Sequence, residues 1–127
     1  MESFINNLLI NYFKVIRKFS EFTGRTQRRE FWMFMLCNFI VYLILGILGS
    51  IPLLGKLFNV VSVLYSIVIL VPSIAVGVRR LHDTGKTGFL MLLTLIPVVG
   101  AIIVLVLCAY EGNSGINQYG SDPKIEA

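Results

Sequence analysis

The densest chemistry in this chain lies in one stretch, Val78-Arg79-Arg80-Leu81-His82-Asp83-Thr84-Gly85-Lys86-Thr87-Gly88, which holds the only histidine. His82 beside Asp83 is a potential acid-base element. Sequence neighbours in a helix do not face one another, however, no cysteine or serine has a defined spacing from them, and one histidine cannot complete a metal site. Gly85-Lys86-Thr87 matches the end of a phosphate-binding loop, but the leading glycine and the preceding strand are missing. Arg79 and Arg80 are more informative, because planar guanidinium groups pair with carboxylates or grip phosphate in twos. The stretch is better suited to holding than to transforming.

The elements that must position it are apolar. Of 127 residues, 56% are hydrophobic and 14% charged, and the mean hydropathy is +0.80; these values belong to membrane proteins rather than soluble domains. The net charge of +4 is unevenly placed. Lys14, Arg17, Lys18, Arg25, Arg28 and Arg29 all precede the first apolar run, a membrane-orienting arrangement rather than a nucleic-acid surface. Glu2 stands where a secretory leader would be basic, so the N-terminal segment is expected to stay on the chain. Cys37 and Cys108 are too few for a disulfide framework.

Residues 3–22 repeat apolar side chains at helical spacing, with Lys14 and Lys18 off that face, and are expected to form an amphipathic helix lying in the bilayer interface. The alternative is the same helix packed on the rest of the protein. After Gly24, Thr26 is the expected cap of a new helix. Arg25, Arg28 and Arg29 lead into Phe31-Trp32, an interfacial pattern in which Arg28 could stack on Trp32.

Three spans are expected, at residues 31–50, 57–78 and 89–110, each near the ~20 residues needed to cross a hydrocarbon core. Gly46 and Ser50 extend a four-residue repeat begun by Asn38 and Tyr42, while Ser62 with Ser66 and Ser73 with Gly77 repeat at the same interval. Such small-residue stripes favour helix contact. Pro72 should kink the second span. Pro97 and Gly100 interrupt the third, which is expected to be a kinked single span, because a hairpin would leave limbs of about ten residues, too short to cross. Residues 111–127 form a tail of turns.

The basic residues beside the spans place the N-terminus and the Arg79–Gly88 loop in the cytoplasm, and the tail outside. Cys37 and Cys108 then lie near opposite faces and should not pair. Arg79, Arg80, His82, Asp83 and Lys86 share the inner face with Arg25, Arg28 and Arg29. In this arginine layer Asp83 and Glu30 should pair with arginines, and the remaining cations are candidates for anionic headgroups or phosphate.

Gly24-Arg25 with Arg28-Arg29-Glu30-Phe31-Trp32, then Arg79-Arg80-Leu81-His82-Asp83-Thr84-Gly85 with Gly88, Pro97 with Gly100, and Gly112, Gly115, Asn117, Tyr119-Gly120 and Asp122-Pro123, occur in one order. In these motifs the chain resembles the bacterial inner-membrane family known as domain of unknown function 805, the YhaH-like proteins. Thr87-Gly88-Phe89 replaces the Ser-Gly-Trp frequent in that family. The resemblance implies a small multi-pass inner-membrane protein and supplies no substrate.

The expected fold is thus an all-helical integral membrane protein with an interfacial helix and three spans. The expected function is non-enzymatic, with a basic cytoplasmic face that binds anionic lipid or a membrane-protein partner, with a homo-oligomer possible and neither cofactor nor nucleic acid implied. The alternative is a subunit of an oligomeric transporter or channel with Asn38, Ser62, Ser66, Ser73 and Thr94 along a polar path.

Overall fold

The computed structural model describes residues 2–123. It contains α1 (Glu2–Arg17), α2 (Arg28–Gly49), α3 (Gly55–Asp83), a 3-10 helix (Gly88–Leu95) and α4 (Val99–Ala109), with no strand among the described residues. The all-helical class expected from the sequence holds. α2 and α3, of 22 and 29 residues, are long and apolar enough to cross a membrane. Their outward side chains are uncovered apolar groups such as Phe39, 65% exposed, and Val68, 70% exposed. In lipid that exposure is favourable, whereas in water it would be a large liability.

α2 and α3 form an antiparallel pair joined by a tight turn. A methyl on Gly55 would run into the Gly49 carbonyl, and one on Gly49 into the Asn59 side chain, so these glycines let the two helix ends close up. Further along, Tyr65 of α3 donates to Asn38 Oδ1 of α2 at 2.5 Å, and Tyr42 bonds Ser66 at 2.6 Å. Asn38 also donates to Phe34 O, while Ser62 and Ser66 donate to carbonyls one turn back in α3. α3 runs on through Pro72 as one helix.

α1 packs on this pair. Leu8, Asn11 and Val15 are its buried stripe, the Tyr12 ring stacks on Phe34 at 5.7 Å, and the Tyr12 hydroxyl meets that of Tyr65 at 2.8 Å. Of the two placements open for residues 3–22, the packed helix is the observed one. Its far side still carries exposed Phe4, Ile5, Leu9 and Phe13.

The third apolar segment departs from expectation. Instead of one kinked span over 89–110, the 3-10 helix runs inward, the chain turns at Ile96-Pro97-Val98, and α4 runs back. Both ends of the segment lie against the last turns of α3. Gly88 abuts Val78, and the Cys108 carbonyl accepts from Arg80 at 2.8 Å. Pro97 forces extended backbone on Ile96 (φ −83°, ψ 111°). Gly100 allows the limbs to touch, since a methyl there would collide with the Leu93 carbonyl. Each limb, of 8 and 11 residues, is too short to span a hydrocarbon core by itself.

This return places the tail beside the arginine-rich stretch, not at the opposite end of the bundle. Asn113 N donates to Asp83 O at 2.7 Å. Cys37 and Cys108 are unpaired, as expected, although the opposite-face argument for it fails with the third span.

The small-residue stripes are only partly used. Gly77 packs against the 3-10 helix, where a methyl would sit 2.6 Å from Met91 Cε. Ser73 bonds Ile69 O at 2.7 Å. Gly46 and Ser50 do not pack as proposed: Gly46 is exposed with nothing within 4 Å of a methyl, and Ser50 caps α2 with its hydroxyl on Ile47 O. The helices meet through Gly49 and Gly55 at that end, leaving Gly46 and Ser50 facing outward.

Candidate functional site: a buried arginine knot

Four stretches that are distant in sequence meet at one end of the bundle: the α1–α2 loop, the end of α3, the end of α4 and the tail. Asp83 is the centre. Its Oδ1 accepts from Arg25 at 3.0 Å, and its Oδ2 accepts from Arg80 at 2.5 Å. The side chains of all three are at most 1% exposed.

The guanidinium groups spend their other donors on backbone. Arg80 donates to the carbonyls of Cys108, Tyr110 and Thr26. Arg25 donates to Asn113 O and Gly115 O at 2.5 Å, and to Gly120 O at 3.2 Å. Arg79 donates to Thr26 Oγ1 at 2.9 Å and to the carbonyls of Lys18 and Glu21. Arg28 reaches Ala109 O at 3.2 Å. The last carbonyls of a helix have no partner within it and carry its negative end. Arg28 and Arg80 supply α4 with both the donors and the charge.

The tail is shaped to accept this. Asp122 accepts from Gly115 N at 3.0 Å, Asn117 and Gly120 pair through their backbones, and Gly115 and Gly120 hold positive φ. Asn117 donates to the His82 carbonyl at 2.9 Å. Tyr119 lies flat on the His82 ring, 4.0 Å between centroids and 4° between planes. His82 Nδ1 donates to Gly24 O at 2.9 Å. A methyl on Gly112 would strike the Asp83 carboxylate, so only glycine fits there.

The eight residues proposed for lipid or phosphate therefore divide. Arg25, Arg79, Arg80, His82 and Asp83 are drawn inside and bonded to the protein itself. Arg28 is exposed but committed to α4 and does not stack on Trp32, whose ring packs edge-on against Phe31. Lys86 Nζ sits 5.2 Å above the Tyr110 ring. Arg29 stays exposed and unengaged among the described residues. Glu30 is buried with Lys14 Nζ at 3.9 Å, not with an arginine.

Thr26 was expected to cap α2. The cap is Gln27, and Thr26 instead gives its N–H to Arg79 O and its hydroxyl oxygen to Arg79 Nε. The carbonyls of 108–110 have no signal in composition. What marks them is a helix ending that needs cations, opposite an arginine pair that needs acceptors.

A family described as "Protein of unknown function (DUF805)" matches residues 19–121. Inner membrane protein YhaI of Escherichia coli K12 is 41% identical over 114 residues, covering 90% of this chain and 95% of that protein. Inner membrane protein YhaH of the same strain is 39% identical over 119 residues, covering 91% and 97%. The uncharacterized protein YiiR is 30% identical over 128 residues, covering 80% and 84%. No solved structure matches.

Proposed function

The chain belongs to the DUF805 family, and on that footing we propose that it is a small non-enzymatic inner-membrane protein whose basic cytoplasmic face engages anionic lipid. α2 and α3 cross the bilayer, the 3-10 helix and α4 form a re-entrant hairpin, and the N-terminus, the knot and the tail all face the cytoplasm. Two crossings and a hairpin keep every basic cluster on one side, as the positive-inside rule requires.

The observation that carries lipid engagement is which cations are left over. The knot arginines are spent inside, whereas Lys14 (which also lies 3.9 Å from Glu30), Arg17 and Lys18 line an open groove of about 340 Å³ with Ile10. Ile10, Lys14 and Arg17 share one face of α1, and Lys18 follows in the turn just past its end. A phosphate at headgroup level would meet the cations while Ile10 and Phe13 meet the acyl chains.

The test is binding of the purified protein to vesicles with and without phosphatidylglycerol. Replacing Lys14, Arg17 and Lys18 together by glutamine should weaken anionic-lipid binding by on the order of a hundredfold, at ~1 kcal/mol per cation. Unchanged binding would sink the proposal. Solute flux through reconstituted liposomes, lost with Asn38→Leu or Ser66→Ala, would instead favour the transporter reading. A reporter after Ala127 that works only in the periplasm would overturn the topology.

A further inference from the structure

The knot explains Arg25, Arg79, Arg80 and Asp83, but not why Gly88 is glycine or why the second nitrogen of His82 is left over. Gly88 has no positive φ. Its missing side chain does something else: a methyl there would lie 2.6 Å from Val78 Cγ1 and 3.3 Å from His82 Nε2. It keeps open a cavity of about 410 Å³ between the start of the 3-10 helix, the end of α3 and the tail.

His82 gives this cavity a defined polarity. Nδ1 donates to the Gly24 carbonyl, so in the neutral ring Nε2 carries a lone pair and accepts. His82 is 8% exposed, its ring is clamped against Tyr119, and Nε2 bonds to nothing among the described residues. Beside it, the Thr87 oxygen is the acceptor for Phe89 N, which leaves the hydroxyl proton available. The remaining walls are the Phe22 and Phe89 rings. Phe89 is 79% exposed and Phe22 43%, so two apolar rings stand at the mouth of the cavity.

We propose that this cavity binds the ring of a membrane-dissolved quinol, with one phenolic hydroxyl donating to His82 Nε2 and the ring held between Phe22 and Phe89. An aromatic diol fits both demands, since its edge donates and its faces stack on aromatic walls. The volume accommodates one substituted ring, and the alkyl chain would leave past Phe89 into the bilayer. The site shares no residue with the α1 groove, so it stands or falls independently of lipid engagement there.

The experiment is calorimetric titration of the full chain in nanodiscs with a decyl-substituted benzoquinol under anaerobic reductant. Expected is saturable one-to-one binding, with the oxidised quinone weaker by about tenfold because its carbonyl oxygens cannot donate to Nε2. Gly88→Ala should abolish binding by filling the space before Nε2. Phe89→Ala removes an exposed ring without touching the knot and should weaken binding severalfold, which decides the matter should Gly88→Ala fail to fold. No saturable binding, equal binding of quinol and quinone, or full binding by folded Gly88→Ala or by Phe89→Ala would each overturn the proposal. Displacement of the quinol by an equal concentration of decanoic acid would overturn it in favour of a fatty-acid site.

Discussion

Two basic regions of this molecule look alike in composition and behave as opposites. In the knot, Arg25, Arg79 and Arg80 lie under the surface, with Asp83 and a set of backbone carbonyls taking nearly every donor. On α1, Lys14 is partly exposed beside Glu30, and Arg17 is exposed and bonds, among the described residues, a carbonyl of its own helix at 3.3 Å. The difference comes from what faces each group. The knot arginines meet loop carbonyls and a helix C-terminus that have no other partner, so burying the cations satisfies both sides. On α1 only Lys14 meets a carboxylate among the described residues, Glu30 at 3.9 Å, and its side chain stays 40% exposed, so these cations remain open to an external anion.

Removing the central carboxylate is the severest way to break the comparison. In Asp83→Asn two buried guanidinium groups lose the carboxylate they share, and uncompensated buried charge costs about 3–5 kcal/mol. The measurement is reversible unfolding in mixed micelles. A loss below about 1 kcal/mol would mean that the knot is solvated and that the two basic regions do not differ in kind.

Much of this arrangement was legible in residue order, and the rest failed for identifiable reasons. Uncharged runs of span length located α2 and α3, and the clustering of Arg25, Arg28 and Arg29 with Arg79 and Arg80 located the ionic layer. Pro97 and Gly100 were read as a kink because a proline inside an apolar run looks the same whether the helix bends or reverses. Nothing local distinguishes the two; the decision lies in the tertiary contact of Gly100 with the Leu93 carbonyl. The misplaced tail follows from that one error, since an odd number of crossings sends Asn117 and Tyr119 away from His82. Counting basic residues could not correct it, because within the described tail there are none.

The apolar body offers a smaller contrast between two glycines that were predicted to act alike. Gly77→Ala should destabilise by about 1–3 kcal/mol, since the added methyl overpacks against Met91 where the re-entrant limb meets α3. Gly46→Ala meets open space and should be neutral or gain up to about 1 kcal/mol in helix propensity. Unfolding of the two variants side by side measures the contrast. Equal losses would place Gly46 in a contact between copies of the chain, and equal neutrality would remove the limb from α3.

The finest test lies in two adjacent arginines that composition cannot tell apart. Arg28 donates to Ala109 O at the end of α4, whereas Arg29, one residue on, points outward to no described partner. Arg28→Gln should cost about 0.5–1.5 kcal/mol, the worth of one charged bond to a helix terminus. Arg29→Gln should leave folding within about 0.5 kcal/mol. The same change should weaken binding to phosphatidylglycerol vesicles about fivefold at low salt, an effect that disappears near 1 M salt as screening lengths shrink to about 3 Å. Paired measurements of unfolding and vesicle binding separate the two roles. If both variants lost stability and neither lost lipid, partner geometry would not be what divides holding arginines from lipid-facing ones, and the division between the knot and α1 would need another cause.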